Sequence, residues 1–288
     1  MMYTFWIILT GCLVGLTCGI AGSLLVLRKM SMIADAISHT VLLGIVGAFF
    51  VSHSLNGVPM LIGASVVGLL TAYLVEVLNK SGVQSDAAIG VVFTSLFALG
   101  VILISLIGDQ VHLDTNHALM GEIAFVPWDT MMIKGQSYGP QAVWMLGFAL
   151  IANVLLITLF YKQIKMSTFD PQFATLVGVP LTFIHYLLMT MVSFSTVASF
   201  NSVGAILVVA MLIVPGATAY LLSERFLHVI LLSGVIGVIA ALLGYGFSIL
   251  LNVSIAGSMA TMTGLLFLLA FLFNPKNGLI IKKLSTHY

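Results

Sequence analysis

Charge is what this sequence has least of: 7% of its 288 residues are Asp, Glu, Lys or Arg, whereas a water-soluble domain carries about 25%. A chain so poor in charge cannot cover a water-facing surface, which excludes an ordinary soluble domain. Ten basic and nine acidic side chains nearly cancel, so the formal net charge is +1 and there is no basic face for nucleic acid. Cysteine is scarce too. Cys12 and Cys18 both fall in the first apolar run, on different faces of a helix, and neither has a neighbouring thiol, which leaves a zinc-thiolate site without ligands. No GxxxxGK[ST] loop is present, so the chain cannot hydrolyse ATP itself. HExxH, GxSxG and paired aspartates in adjacent runs are likewise missing, which argues against an intramembrane enzyme.

Apolar residues are plentiful, at 60% of the chain. A membrane-spanning helix needs about 20 predominantly apolar residues. Runs of that kind cover 4–27, 32–52, 57–79, 86–108, 139–161, 181–200, 202–222, 228–250 and 253–273. The expected fold is therefore an all-α polytopic bundle of eight or nine spans. Nine is favoured. The seam at Phe200, Asn201 and Ser202 is too short for a conventional loop, so a helix broken there is the source of the eight-span alternative. Leu9 to Cys12 (LTGC) has the form of a lipoprotein cleavage box, but no Lys or Arg precedes it, so the first run reads as a retained span.

Lys and Arg set the orientation. With nine spans, Arg28, Lys29, Lys80, Lys162, Lys165, Arg225, Lys276, Lys282 and Lys283 share one side and only Lys134 lies on the other. The amino terminus is expected outside and the carboxyl terminus in the cytoplasm. Gly11, Gly15, Gly19 and Gly22 form a small-residue stripe on the first span, which invites close approach by another helix. The fifteen methionines read as gap fillers between helices.

The stretch with chemistry in it is Arg28 to His39, RKMSMIADAISH. Asp35 and His39 are four apart, so a helix projects both from one face. A carboxylate inside a membrane usually faces a bundle interior or water and marks an ion or substrate path. The pair is a plausible half-site for a divalent metal, and the structural alternative is a helix-helix hydrogen bond.

Two polar segments flank the spans. Residues 109–138 carry Asp109, Asp114, Glu122 and Asp129 with His112 and His117, an outward-facing surface that could attract a cation or dock a delivery partner. Pro127 and Trp128 suit a turn at the interface. On the cytoplasmic side, within 162–180, Ser167 or Thr168 can cap, Pro171 suits a first helical turn, and Gly178 with Pro180 ends the element. Phe173 and Leu176 fall on one face of that short helix, which wants either a groove or lipid to sit in. Further on, His185 reads as a packed or interfacial residue, and Pro215 is expected to kink its helix.

Taken together, LRKMSMIADAISHTVLLGI (27–45), SDAAIGVVFTSLFALGVIL (85–103), HLDTNHALMGEI (112–123), FDPQFATLVGVP (169–180) and VGAILVVAMLIVPGATAYLL (203–222) resemble the permease subunits of metal-type ABC importers, which serve manganese, zinc or iron uptake in bacteria. The resemblance covers nearly the whole chain, 1–288, as a single permease domain of the type II importer kind. It implies that Asp35 and His39 belong to the metal route. It also implies that Phe169, Asp170, Phe173, Leu176 and Gly178 lie in the coupling element that sits on an ATPase. The implied partners are a second copy of the chain, cytoplasmic ATPase subunits and an extracytoplasmic metal-binding delivery protein, in a multi-pass cell-membrane assembly. No permanently bound cofactor is implied, and the metal, Mn2+ before Zn2+ or iron, is cargo. The competing reading is a secondary carrier using Asp35 as a proton or ion relay, which has no reason to present a coupling helix to a partner.

Overall fold

The computed structural model describes residues 2–52, 57–107, 123–133 and 136–274. In chain order the helices are α1 (Met2–Leu27), α2 (Ser31–Ser52), α3 (Gly57–Lys80), α4 (Ser85–Ile107), α5 (Gln141–Leu159), α6 (Tyr161–Phe169), α7 (Pro171–Leu176), α8 (Leu181–Leu222), α9 (Phe226–Leu251) and α10 (Ile255–Phe273). Among the described residues, nine stretches are long and apolar enough to cross a membrane. In lipid every backbone N–H and C=O must be paired within the segment, so apolar runs of this length can only become helices.

The all-helical expectation needs one amendment. Between α4 and α5 lie a 3-10 helix, Ile123–Trp128, and an antiparallel pair, β1 (Thr130–Ile133) with β2 (Gln136–Pro140). All but the last two residues of this segment lie outside the apolar runs, where backbone groups can be satisfied by strand pairing as well as by helix. Asp109, His112, Asp114, His117, Glu122, Lys134 and the three lysines of the tail lie outside the described residues.

α1 is the central helix. Its stripe of small residues faces α8, α9 and, at Gly11, Met259 of α10, and Val14, Cys18, Ala21 and Leu25 are buried on α1. The Ser233 hydroxyl of α9 donates to the Gly19 carbonyl at 2.7 Å, a polar bond across the same seam. The elbow that follows has fixed geometry: Lys29 N–H donates to Val26 O and Met30 N–H to Leu25 O, with Lys29 left-handed at φ 57°. That is the bond pattern of a Schellman stop with lysine where glycine is usual.

α8 decides between eight and nine spans. Helical geometry runs through Phe200 and Ser202, and the interruption is at Gly204, with φ 77° and ψ 167°, a backbone region open essentially to glycine alone. The break therefore falls past the seam named from sequence, at the residue that can adopt the turn. Pro215 keeps helical dihedrals, so the kink expected there is not where the helix breaks. The chain reverses at Gly204, because Phe183 packs on Phe160 at 5.7 Å while Phe226 packs on adjacent Tyr161 at 5.5 Å. A straight helix would place residues 183 and 222 about 60 Å apart at 1.5 Å per residue. Residues 181–203 and 205–222 are two antiparallel spans, which makes nine candidate spans among the described residues.

Candidate functional site

α2 is oriented by its buried side. Ile33, Ala34, Ile37, Ser38 and Val41 face the core, Gly44 lies against the backbone of Ala64 in α3, and Thr71 of α3 donates to Thr40 at 2.8 Å. That packing turns Asp35 and His39 to the opposite flank. His39 Nε2 stands 3.6 Å from Asp35 Oδ1, so the one-face geometry expected of an i, i+4 pair is what the helix delivers. The two side chains keep 32% and 42% of their surface accessible, which leaves coordinating atoms open on the side of a single chain. The imidazole is held from α4 by Phe93 and Phe97, with ring centroids 5.3 and 5.9 Å away.

Depth along the membrane follows from the helix start. With α2 beginning at Ser31, Asp35 is on the second turn and His39 about 12 Å in at 1.5 Å per residue, so the pair runs from the basic end toward the centre of the span. Among the described residues, no third His, Cys, Asp or Glu joins them in a group that could hold a metal. One chain thus presents an incomplete ligand set: one carboxylate and one imidazole.

Elsewhere in the bundle the structure places a carboxylate that sequence reasoning passed over. Glu76 of α3 pairs through Oε1 with Lys80 Nζ at 2.7 Å, and its Oε2, buried without a hydrogen bond, lies 3.8 Å from His185 Nε2 of α8. The signal was available, since an acidic residue four before a lysine near the end of an apolar run is an i, i+4 pair. His185, read from sequence as a packed or interfacial residue, lies against Tyr186 and faces Glu76.

The second cluster of singled-out residues is at the basic end. Asp170, not Ser167 or Thr168, caps the short helix: its Oδ1 accepts from Phe173 N–H at 2.9 Å, with Pro171 opening α7. Ser167 and Thr168 sit inside α6 and accept instead from Arg28. Gly178 is left-handed at φ 82° and stops α7, as its position after the apolar residues suggested. Phe169, Phe173 and Leu176 are exposed, Leu176 at 85%, while Ala174 is buried beneath them. Phe169 also touches Phe226 edge-on at 5.9 Å, which seats α6 on the start of α9. Burial pushes the Arg28 guanidinium down to about 10, still charged at neutral pH.

Nine candidate spans among the described residues, with a polar pair on one flank and an exposed apolar helix at one end, make a multi-pass membrane protein. The comparisons agree. The chain belongs to the ABC 3 transport family, which it matches over residues 1–274. It is 60% identical over 286 residues to the manganese transport system membrane protein MntD of Bacillus subtilis, covering 99% of this chain and 97% of that one. It is 42% identical to the zinc transport system membrane protein TroD of Treponema pallidum, over 96% of this chain and 76% of that one. Among solved structures, PsaBC from Streptococcus pneumoniae in complex with Fab superposes with a TM-score of 0.81 at 33% identity, covering 100% of this chain and 96% of the other.

Proposed function

We propose that this chain is the membrane-spanning subunit of an ATP-driven importer that carries divalent transition-metal ions into the bacterial cytoplasm, manganese first, then zinc or iron. The observation that carries the reading is the Asp35–His39 pair, 3.6 Å apart on the open flank of a chain 60% identical to a manganese transport system membrane protein. Carboxylate and imidazole without thiolate suit Mn2+, Fe2+ or Zn2+. An ion crossing the hydrocarbon region needs such ligands to replace lost water, held weakly enough for release.

A second copy of the chain completes the ligand set. A carboxylate left against lipid would cost about 2.5–3.5 kcal/mol, and a two-fold partner covering this flank would both relieve that cost and double the ligands. Separate ATPase subunits hydrolyse ATP and meet the coupling segment 162–180 through Phe169, Asp170, Phe173, Leu176 and Gly178. Exposed apolar side chains on a capped helix support that docking. The basic residues on the side of Arg28, Lys80 and Lys165 support a cytoplasmic location for it. An extracytoplasmic metal-binding protein delivers the ion from the opposite side, where the amino terminus lies.

The test is uptake of Mn2+, Zn2+ and Fe2+ into proteoliposomes holding the complete complex. ATP-dependent uptake of Mn2+ in preference to the other two is expected. Uptake that proceeds without ATP or without the ATPase subunits would return the chain to the secondary carriers.

A further inference from the structure

We propose that Arg28 is a positioning residue that ties the helix bearing Asp35 and His39 to the ATPase-facing segment, so that the two shift as one body. The inference rests on the function proposed above. Arg28 Nε donates to Thr168 Oγ1 at 3.1 Å and Nη2 to Ser167 Oγ at 2.5 Å. Both hydroxyls give their own proton to a single acceptor, the Ile164 carbonyl, at 2.7 and 3.1 Å. They are therefore held as acceptors toward the guanidinium, and the fork has one way to engage. Ser167 and Ile164 are buried, so the contact sits within the packing and not on a free surface.

On each side of this clamp the chain is tied by hydrogen bonds. Toward the membrane, the hydrogen-bonded elbow at Lys29 and Met30 leads directly into α2 at Ser31, and Asp35 follows one turn on. Toward the ATPase side, α6 runs into α7 through the Asp170 cap, and α7 presents Phe173 and Leu176. A push on α7 has a short route of paired groups to the base of α2. Lysine could not reproduce it, because one ammonium cannot match a planar fork on two hydroxyls. Lys29, next to Arg28, is exposed and left-handed.

The experiment uses the complete complex in proteoliposomes, with Mn2+ uptake and ATP hydrolysis recorded together. The variants are Arg28→Lys, Arg28→Gln, and Ser167→Ala combined with Thr168→Val. Each should sharply lower the Mn2+ moved per ATP hydrolysed. Copurification with the ATPase and the Mn2+ concentration for half-maximal uptake should stay as in wild type. Arg28→Gln added to the hydroxyl variant should do no further harm, because both remove one interaction. A hydroxyl variant that assembles and keeps the wild-type ratio would overturn the proposal, as would losses that multiply. If the Arg28 variants fail to assemble, the hydroxyl variant decides alone, since it leaves the guanidinium and every span intact. Failure of the wild-type complex to take up any of the metals with ATP would instead strike the importer reading, and this inference with it.

Discussion

Gly15 of α1 and Gly237 of α9 meet backbone to backbone: a Cβ on Gly15 would come within 2.6 Å of the Gly237 carbonyl. Two positions further along the same stripe, past Gly19, a Cβ on Gly22 would overlap the Leu212 carbonyl oxygen. Overpacking a close-fitted interior costs about 1–3 kcal/mol, and here the obstacle is backbone, which cannot rotate away. Gly15→Ala and Gly22→Ala should each lower the melting temperature of the purified protein by several degrees. Gly47→Ala, whose Cβ would meet nothing within 4 Å, should leave it unchanged. Equal melting of all three variants would refute the close approach of α1.

Gly204→Ala tests the reversal in α8. At φ 77° and ψ 167° an alanine is strained by about 1–3 kcal/mol, and the strain falls on the turn that sends residues 205–222 back across the membrane. Loss of folded protein in detergent, read by size-exclusion chromatography, is the expected outcome. A well-folded Gly204→Ala protein would mean that the turn is made elsewhere.

Asp35→Asn keeps the volume and removes the charge, and His39→Ala removes the imidazole. Each should abolish Mn2+ uptake in proteoliposomes while assembly with a second copy and with the ATPase persists, because the defect lies in the ion's path and not in the packing of α2. Wild-type uptake in either variant, with the complex intact, would leave the pair as ordinary helix contacts.

Phe173→Asp puts a charge on the exposed face of α7 without touching the bundle, as Ala174 rather than Phe173 is the buried residue there. ATP hydrolysis should no longer drive transport, with the melting temperature unaltered. Normal transport and normal copurification with the ATPase would remove α7 from the docking surface.

Topology is open to a labelling test in a background lacking Cys12 and Cys18. A cysteine at Gln136 should react with an impermeant maleimide applied to intact cells, and one at Gln163 only after the membrane is opened. The opposite pattern would invert the placement of the basic end.

Much of this protein was legible from sequence because its strongest constraints are local. Apolar run length dictated the spans, since a backbone in lipid must satisfy itself within each segment. The i, i+4 spacing alone brought Asp35 and His39 to one face, and the glycine spacing on α1 marked the helix that others approach. What the sequence could not settle depends on contacts between residues far apart in the chain. Whether Ser167 and Thr168 cap a helix or receive a guanidinium was decided by Arg28, 139 and 140 positions away. That Glu76 faces His185 required α3 and α8 to pack side by side. The break in α8 moved to Gly204 because the reversal needs a backbone conformation that only glycine tolerates, and where the chain must turn is set by the helices it returns to pack against. Periodicity along one strand of sequence reports which face a side chain takes; only the assembled bundle reports what that face meets.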